Sequence, residues 1–263
     1  IKDNEATIKM LEDSIDKYLY EKLEINIKKN NNISNKKYKI LEFINFMNIT
    51  QWGVNKILKA SNIESNKFNI ISLNSKYYQI LARGKSPKYD ENSESIILNQ
   101  KCNRLNYIDL SYAKNVNTNW LLSINKEIFT QKNDILINST GEGTIGRASC
   151  IVNDENTNLM YDSHILLLRV NTKYINPEYY TYLFNSNIVQ NQIEVLKGAE
   201  ATKQTELGIE NVKKIMIPLP EIEVQQQIVN YIFEIREKIN KLKIHSELIN
   251  HQIEIYISTK IFK

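Results

Sequence analysis

Over the last forty or so residues the apolar positions fall on one line. Ile228, Ile232, Ile235, Ile239, Leu242, Ser246, Ile249, Ile253 and Tyr256 are spaced alternately four and three apart, while Glu, Lys, Gln and Asn fill the other faces. That is a heptad seam, and it predicts one long helix over about 221–262 that pairs with another helix. The expected interface is Ile228, Ile232, Ile235, Ile239, Leu242, Ile249 and Ile253, so Ile235→Asp is expected to break assembly while sparing the domain's fold. A shorter seam, Ile8, Leu11, Ile15 and Tyr18, predicts a second helix within 3–24, with acidic residues in its early turns. Between them the pattern shortens into candidate strands at 68–73, 95–99, 134–139, 147–152, 164–170 and 212–217. One further helix is expected over 176–198, with Pro177 at its second position and Gly198 at its end. Pro218 and Pro220 then stop the last strand. This divides the chain into a helix and linker (1–37), a globular domain (38–220) and a long spacer or dimerisation helix (221–263). The fold class is α/β in the mixed α+β sense.

The two ends also match each other at an offset of 238. Ile15, Tyr18 and Lys22 recur as Ile253, Tyr256 and Lys260, and Leu11, Asp16, Leu19 and Leu23 become Ile249, Glu254, Ile257 and Ile261. The chain reads as one period of a helix–domain–helix repeat.

Three of the seven glycines, Gly141, Gly143 and Gly146, lie in "NSTGEGTIGRASC" (138–150). A phosphate-binding loop of the G-x-x-x-x-G-K-[ST] kind needs a lysine and a hydroxyl where Arg147 and Ala148 stand. The G-x-G-x-x-G spacing is met, but strand-like segments lie on both sides and no helix opens to receive a pyrophosphate. A hairpin whose glycines supply positive φ accounts for the segment.

Charge narrows the partners. Lys+Arg 34 against Asp+Glu 30 leaves +4, mildly basic and compatible with nucleic acid. Cys102 and Cys150 are too few for a disulfide framework and form no metal motif, which favours a reduced, cytoplasmic setting. No apolar run approaches the ~18 residues of a membrane span, and no signal peptide is visible. Because residue 1 is Ile, the chain is expected to be a piece of a longer or processed one. The tract "NIKKNNNISNKK" reads as a solvated linker rather than a functional basic patch.

Catalytic patterns do not assemble. "NPEY" (176–179) is close to the Asn-Pro-Pro-Tyr motif of adenine methyltransferases, but Glu178 replaces a proline and no F-x-G-x-G loop exists; a helix start is expected. Glu194 with Lys197 and Glu200 with Lys203 have the wrong spacing for a nuclease, and His164 has no nucleophile elbow near it. It is expected to be a hydrogen-bonded structural histidine. The chain reads as a binding protein, with no metal.

Several motifs in order resemble one family. "NQKCNR", "IDLS", "NDILINSTGEGTIGRA", "DSHILLLRV", "INPEYYTYLFNS" and "IPLPEIEVQQQIV" together resemble the target-recognition domain of type I restriction–modification specificity subunits. The last departs from the family's "IPLPPLEEQ" signature at Glu221 and Val224, and "LEFINFMNITQWGVN" is similar to the spacer leading into such domains. The resemblance implies a non-catalytic chain that reads one half of a bipartite double-stranded DNA target. It implies docking to methyltransferase subunits and, through them, to the restriction subunit. S-adenosylmethionine would be bound only by the methyltransferase partner. The family usually carries two recognition domains and this chain has one, so a homodimer or a second domain is expected to complete it. The alternative is a recognition domain cut from a combined methyltransferase–nuclease of type IIG kind. Within this reading, mixed polar and basic loops are the expected DNA contacts: Lys85, Ser86, Lys88 and Tyr89; Gln100, Lys101 and Arg104; Lys203 and Gln204. Ser139, Thr140 and Arg147 are placed near phosphate. Lysine and arginine anchor phosphates or guanine, glutamine reads adenine, and tyrosine stacks. Charge reversal at Lys85, Lys101 and Arg104 is expected to weaken binding.

Overall fold

In a computed structural model, residues 2–29, 61–197 and 206–260 are described. Most of the 26–37 linker, the 41–55 segment, Gly198, Lys203 and Gln204 lie outside them. The described chain begins with α1 (Lys2–Lys22), β1 (Ile25–Lys29), β2 (Ser61–Ser65), β3 (Ile70–Ser72) and β4 (Tyr78–Arg83). Next come β5 (Ile96–Leu98), β6 (Asn103–Arg104), β7 (Tyr107–Ile108), β8 (Lys114–Asn115) and α2 (Thr118–Leu122). β9 (Ile135–Asn138), β10 (Ala148–Cys150), β11 (Met160–Tyr161) and β12 (Ile165–Val170) follow. The chain closes with α3 (Pro177–Asn185), α4 (Asn187–Leu196), α5 (Ile209–Lys213), β13 (Met216–Pro218) and α6 (Ile222–Lys260).

The organising element is a four-stranded sheet in the order β10-β9-β12-β4, antiparallel throughout. Its two central strands are buried on both faces, and their alternation sorts side chains between two clusters. Ile135, Ile137, Leu166 and Leu168 join α3, α4 and the start of α6 in the main core; Leu136, Ile165 and Leu167 join Leu98, Cys102, Ile151 and Tyr161. This is the period-two rule of a sheet covered on both sides.

β9 and β10 form the expected hairpin. Gly141, Gly143 and Gly146 have φ of +101, +72 and +78°, a region that costs other residues steric strain. Asn138 and Gly146 close the turn, with Gly146 N–H donating to the Asn138 carbonyl at 2.8 Å. The edge of β10 is capped by a side chain: Asn185 Nδ2 donates to Ala148 O at 2.8 Å and its Oδ1 accepts from Ala148 N at 2.9 Å. An amide side chain thus replaces a neighbouring strand. Opposite, Asp134 is fully buried and forms a two-pronged ion pair with Arg169, 2.7 Å at each contact. Arg169 also donates to the carbonyls of Glu127 and Phe129. Arg169→Leu strands a buried carboxylate and is expected to cost about 3–5 kcal/mol, measurable by urea unfolding.

"NPEY" is a helix start. Asn176 Oδ1 accepts from the N–H groups of Glu178 (2.9 Å) and Tyr179 (3.2 Å), and Pro177 fills the first turn. The expected single helix over 176–198 is instead two, because the backbone at Ser186 is extended (φ −79°, ψ 161°) and redirects the chain. The expected strand at 212–217 is also corrected. Its first residues belong to α5, and only Met216–Pro218 pair, antiparallel to β3.

α6 spans 39 residues, about 58 Å at the α-helical rise. α1 runs antiparallel beside it, fixed by Tyr18 stacked on Tyr231 (centroids 3.8 Å apart) and by Asn4 donating to Ser246 at 3.0 Å. Asp16 accepts from the Asn187 backbone N–H at the start of α4, which ties α1 to the domain as well. The seam therefore divides. Ile228 and Ile232 belong to the domain's own core, Ile235 and Ile239 are buried along the stretch beside α1, Leu242 and Ile249 are half-buried, and Ile253 is exposed. Ile235→Asp is accordingly a fold-damaging change rather than a pure assembly variant. No helix among the described residues is long and apolar enough to cross a membrane.

Candidate nucleic-acid interface

Three loops leave the same end of the four-stranded sheet. β4 ends at Arg83 beside Leu166, β9 ends at Asn138 beside Ile165, and the hairpin returns at Ala148 beside Ile137. Segments 84–90, 139–147 and 162–164 therefore emerge together. The 99–102 segment is tied in by Asn138 Nδ2 donating to Gln100 O (3.1 Å) and Asp162 N donating to Leu98 O (2.8 Å). Lys85 N donates to Tyr161 O at 3.2 Å, which holds the first loop against the third.

On this end Lys85, Ser86, Lys88, Tyr89 and Lys101 are exposed, and Gln100 is half-buried with its amide against Gly141. Thr140 is half-buried and pairs its hydroxyl with His164 Nδ1 at 2.8 Å, so His164 is hydrogen-bonded but at the surface. Ser139 differs from expectation. It is fully buried, its Oγ accepts from Arg83, its N–H donates to His164 O and its carbonyl accepts from Leu207 N. With every polar group engaged inside the fold, it is a scaffold residue rather than a phosphate ligand. Arg104 and Arg147 are also displaced. Both are half-buried and line a separate groove beside α6, with Arg104 stacked 4.5 Å over the Tyr112 ring.

Four residues that sequence reasoning did not select complete the end. Lys114 lies 5.0 Å over the Tyr89 ring, adding a cation beside an exposed aromatic. Arg83 is ion-paired with Glu206 and so anchors the chain that returns into α5. Asp162 is buried, accepts from the His164 backbone N–H at 2.9 Å, and has its carboxyl pKa raised chiefly by burial, with Lys114 and His164 opposing the shift. His164 is the fourth. Asp162 and His164 lie in the "DSHILLLRV" stretch, but only the fold brings that stretch to the same end as Arg83 and Lys114. The cysteines take no part: Cys102 and Cys150 are buried free thiols whose pKa values burial pushes up.

Residues 79–250 match the family model described as the type I restriction modification DNA specificity domain. This chain belongs to that family. The specificity domain's fold agrees with solved structures at low sequence identity. One, concerned with complex assembly and conformational transition of the type I R-M system, matches with a TM-score of 0.58 and 11% identity, over 97% of this chain and 51% of that one. The HsdS subunit from Thermoanaerobacter tengcongensis matches with a TM-score of 0.52 and 12% identity, over 93% of this chain and 47% of that one. The specificity domain chain thus spans about half the length of each. No curated protein matches the sequence.

Proposed function

We propose that this chain reads one half of a two-part double-stranded DNA target and brings methyltransferase subunits to it. The observation that carries the reading is the convergence, in a specificity domain, of polar loops on one sheet end where Lys85, Lys88 and Lys101 are exposed and Lys114 lies over the exposed Tyr89 ring. Lysines at such an end neutralise phosphates and set register. The chain itself is the non-catalytic component, and S-adenosylmethionine belongs to the methyltransferase partner.

The distal part of α6 supports a second recognition domain. Ile253, Tyr256 and Ile257 are exposed, whereas their counterparts at the offset of 238, Ile15, Tyr18 and Leu19, pack on the domain's main core. Tyr18 is the residue stacked on Tyr231, so Tyr256 is equipped to do the same on another domain. An apolar stripe of this length favours a covered state. A second identical copy can accept it only by exchange, because that copy's own α1 already occupies the site.

The test is methyl transfer. With S-adenosylmethionine and duplex DNA, the purified chain is expected to transfer nothing; adding its methyltransferase subunit should produce adenine methylation at one sequence. Methylation by the chain alone, or methylation by the mixture at every adenine context, would contradict the proposal.

A further inference from the structure

His164 stands where the two central strands of the sheet end, and it has one polar atom unused. It precedes β12, and its carbonyl accepts from Ser139 N at 2.9 Å, continuing the β12–β9 ladder beyond the Ile165–Asn138 pair. Its N–H donates to Asp162 Oδ1 at 2.9 Å, and Ile165 N–H closes the turn on Asp162 O at 3.1 Å. Asp162 is buried, so the turn is anchored in the fold. The ring itself is exposed, and Thr140 of the hairpin holds it through Nδ1 at 2.8 Å. Nε2 has no protein partner among the described residues, and the Thr140 hydroxyl makes no other hydrogen bond there. A neutral ring that accepts the hydroxyl proton at Nδ1 carries its own proton on Nε2. The outward atom is then a donor.

An exposed ring with a single hydrogen bond adds little to stability, so a purely structural role leaves its fixed orientation unexplained. Lys85 and the 99–102 segment that carries Lys101 are tied to the start of the same turn. Lys85 N donates to Tyr161 O at 3.2 Å, and Asp162 N to Leu98 O at 2.8 Å. Phosphates held by those lysines would bring a groove of the duplex over the turn. There a short, immobilised donor discriminates between base edges, whereas a long, flexible lysine follows the backbone. We infer that His164 reads the bound duplex directly, its Nε2–H donating to a base-edge acceptor in the major groove such as guanine N7 or O6. The inference rests on the proposal that this sheet end meets DNA.

The experiment selects duplexes from a random library with the full chain and its His164→Ala, Thr140→Val and Lys101→Glu variants. Affinity for the wild-type motif is followed across salt concentrations, and thermal midpoints are measured in parallel. His164→Ala should lose preference at one position of the motif and bind it about tenfold more weakly, with salt slope and midpoint unchanged. Thr140→Val, which frees the ring, should blur the same position. Lys101→Glu is the contrast: weaker binding, a flatter slope and an unaltered motif. If His164→Ala lowers the midpoint, Thr140→Val decides, because it keeps the histidine. A motif intact at every position in the deciding variant overturns the inference and leaves DNA reading by the loops standing. A flatter slope in His164→Ala without loss of preference also overturns it, and makes the histidine a phosphate contact. A wild-type chain that enriches no motif overturns the inference and the DNA-reading proposal together.

Discussion

Reversing the charge of Lys85, Lys88 and Lys101 together is expected to weaken duplex-DNA binding by roughly a hundredfold or more. It should also flatten the salt dependence by about one unit of slope per lost phosphate contact. The three lysines are exposed on loops held to one sheet end by main-chain hydrogen bonds, so their replacement leaves the core untouched. Arg104 is left out of this set because it stacks on Tyr112 and lines the α6 groove. A filter-binding or anisotropy titration at several salt concentrations checks the result. Unchanged slope and affinity would place the DNA elsewhere on the molecule.

Gly84→Ala is expected to be the most damaging single methyl addition in the domain. A β-carbon there would lie 2.1 Å from Asp162 O and 2.3 Å from Tyr161 O, both backbone atoms that no side-chain rotation can move. Accommodation must part β4 from the 161–162 segment. That strains the Gly84 N–H bond to Ile165 O (3.0 Å) and the Lys85 N–H bond to Tyr161 O (3.2 Å). Overpacking and two weakened bonds together cost about 3 kcal/mol or more, and the Lys85 loop is displaced, so DNA affinity falls as well. Gly143 is the contrast. Its φ is +72° but nothing lies within 4 Å of an added β-carbon, so Gly143→Ala should cost only the left-handed backbone penalty, about 1–2 kcal/mol. Chemical denaturation of the two variants checks both values.

The hairpin, the Asn176 cap and the long α6 were legible because each is written locally, in glycine spacing, in an N-cap followed by proline, and in a heptad. The break at Ser186 and the helical start of 209–213 were not, because local apolar content there fits either state and packing decides. The candidate interface was legible in part. Lys85, Lys88 and Lys101 announced themselves as basic loop residues, but the loops' convergence depends on the register of β4, β9 and β12. Ser139 looked like a phosphate ligand from its neighbours, yet burial converted it to scaffold. Lys114 beside Tyr89 arises only when distant segments meet. The seam of α6 read as one interface, whereas the structure uses it first for the core, then for α1, and leaves Ile253 exposed.

The most direct measurement of the central claim is selection from a random duplex-DNA library by the full chain at near-physiological salt, followed by sequencing of the bound pool. Enrichment of one short defined motif, lost in the Lys85, Lys88 and Lys101 charge-reversal variant, is the result predicted for a specificity domain reading part of a split target. A bound pool indistinguishable in sequence from the input library would contradict it.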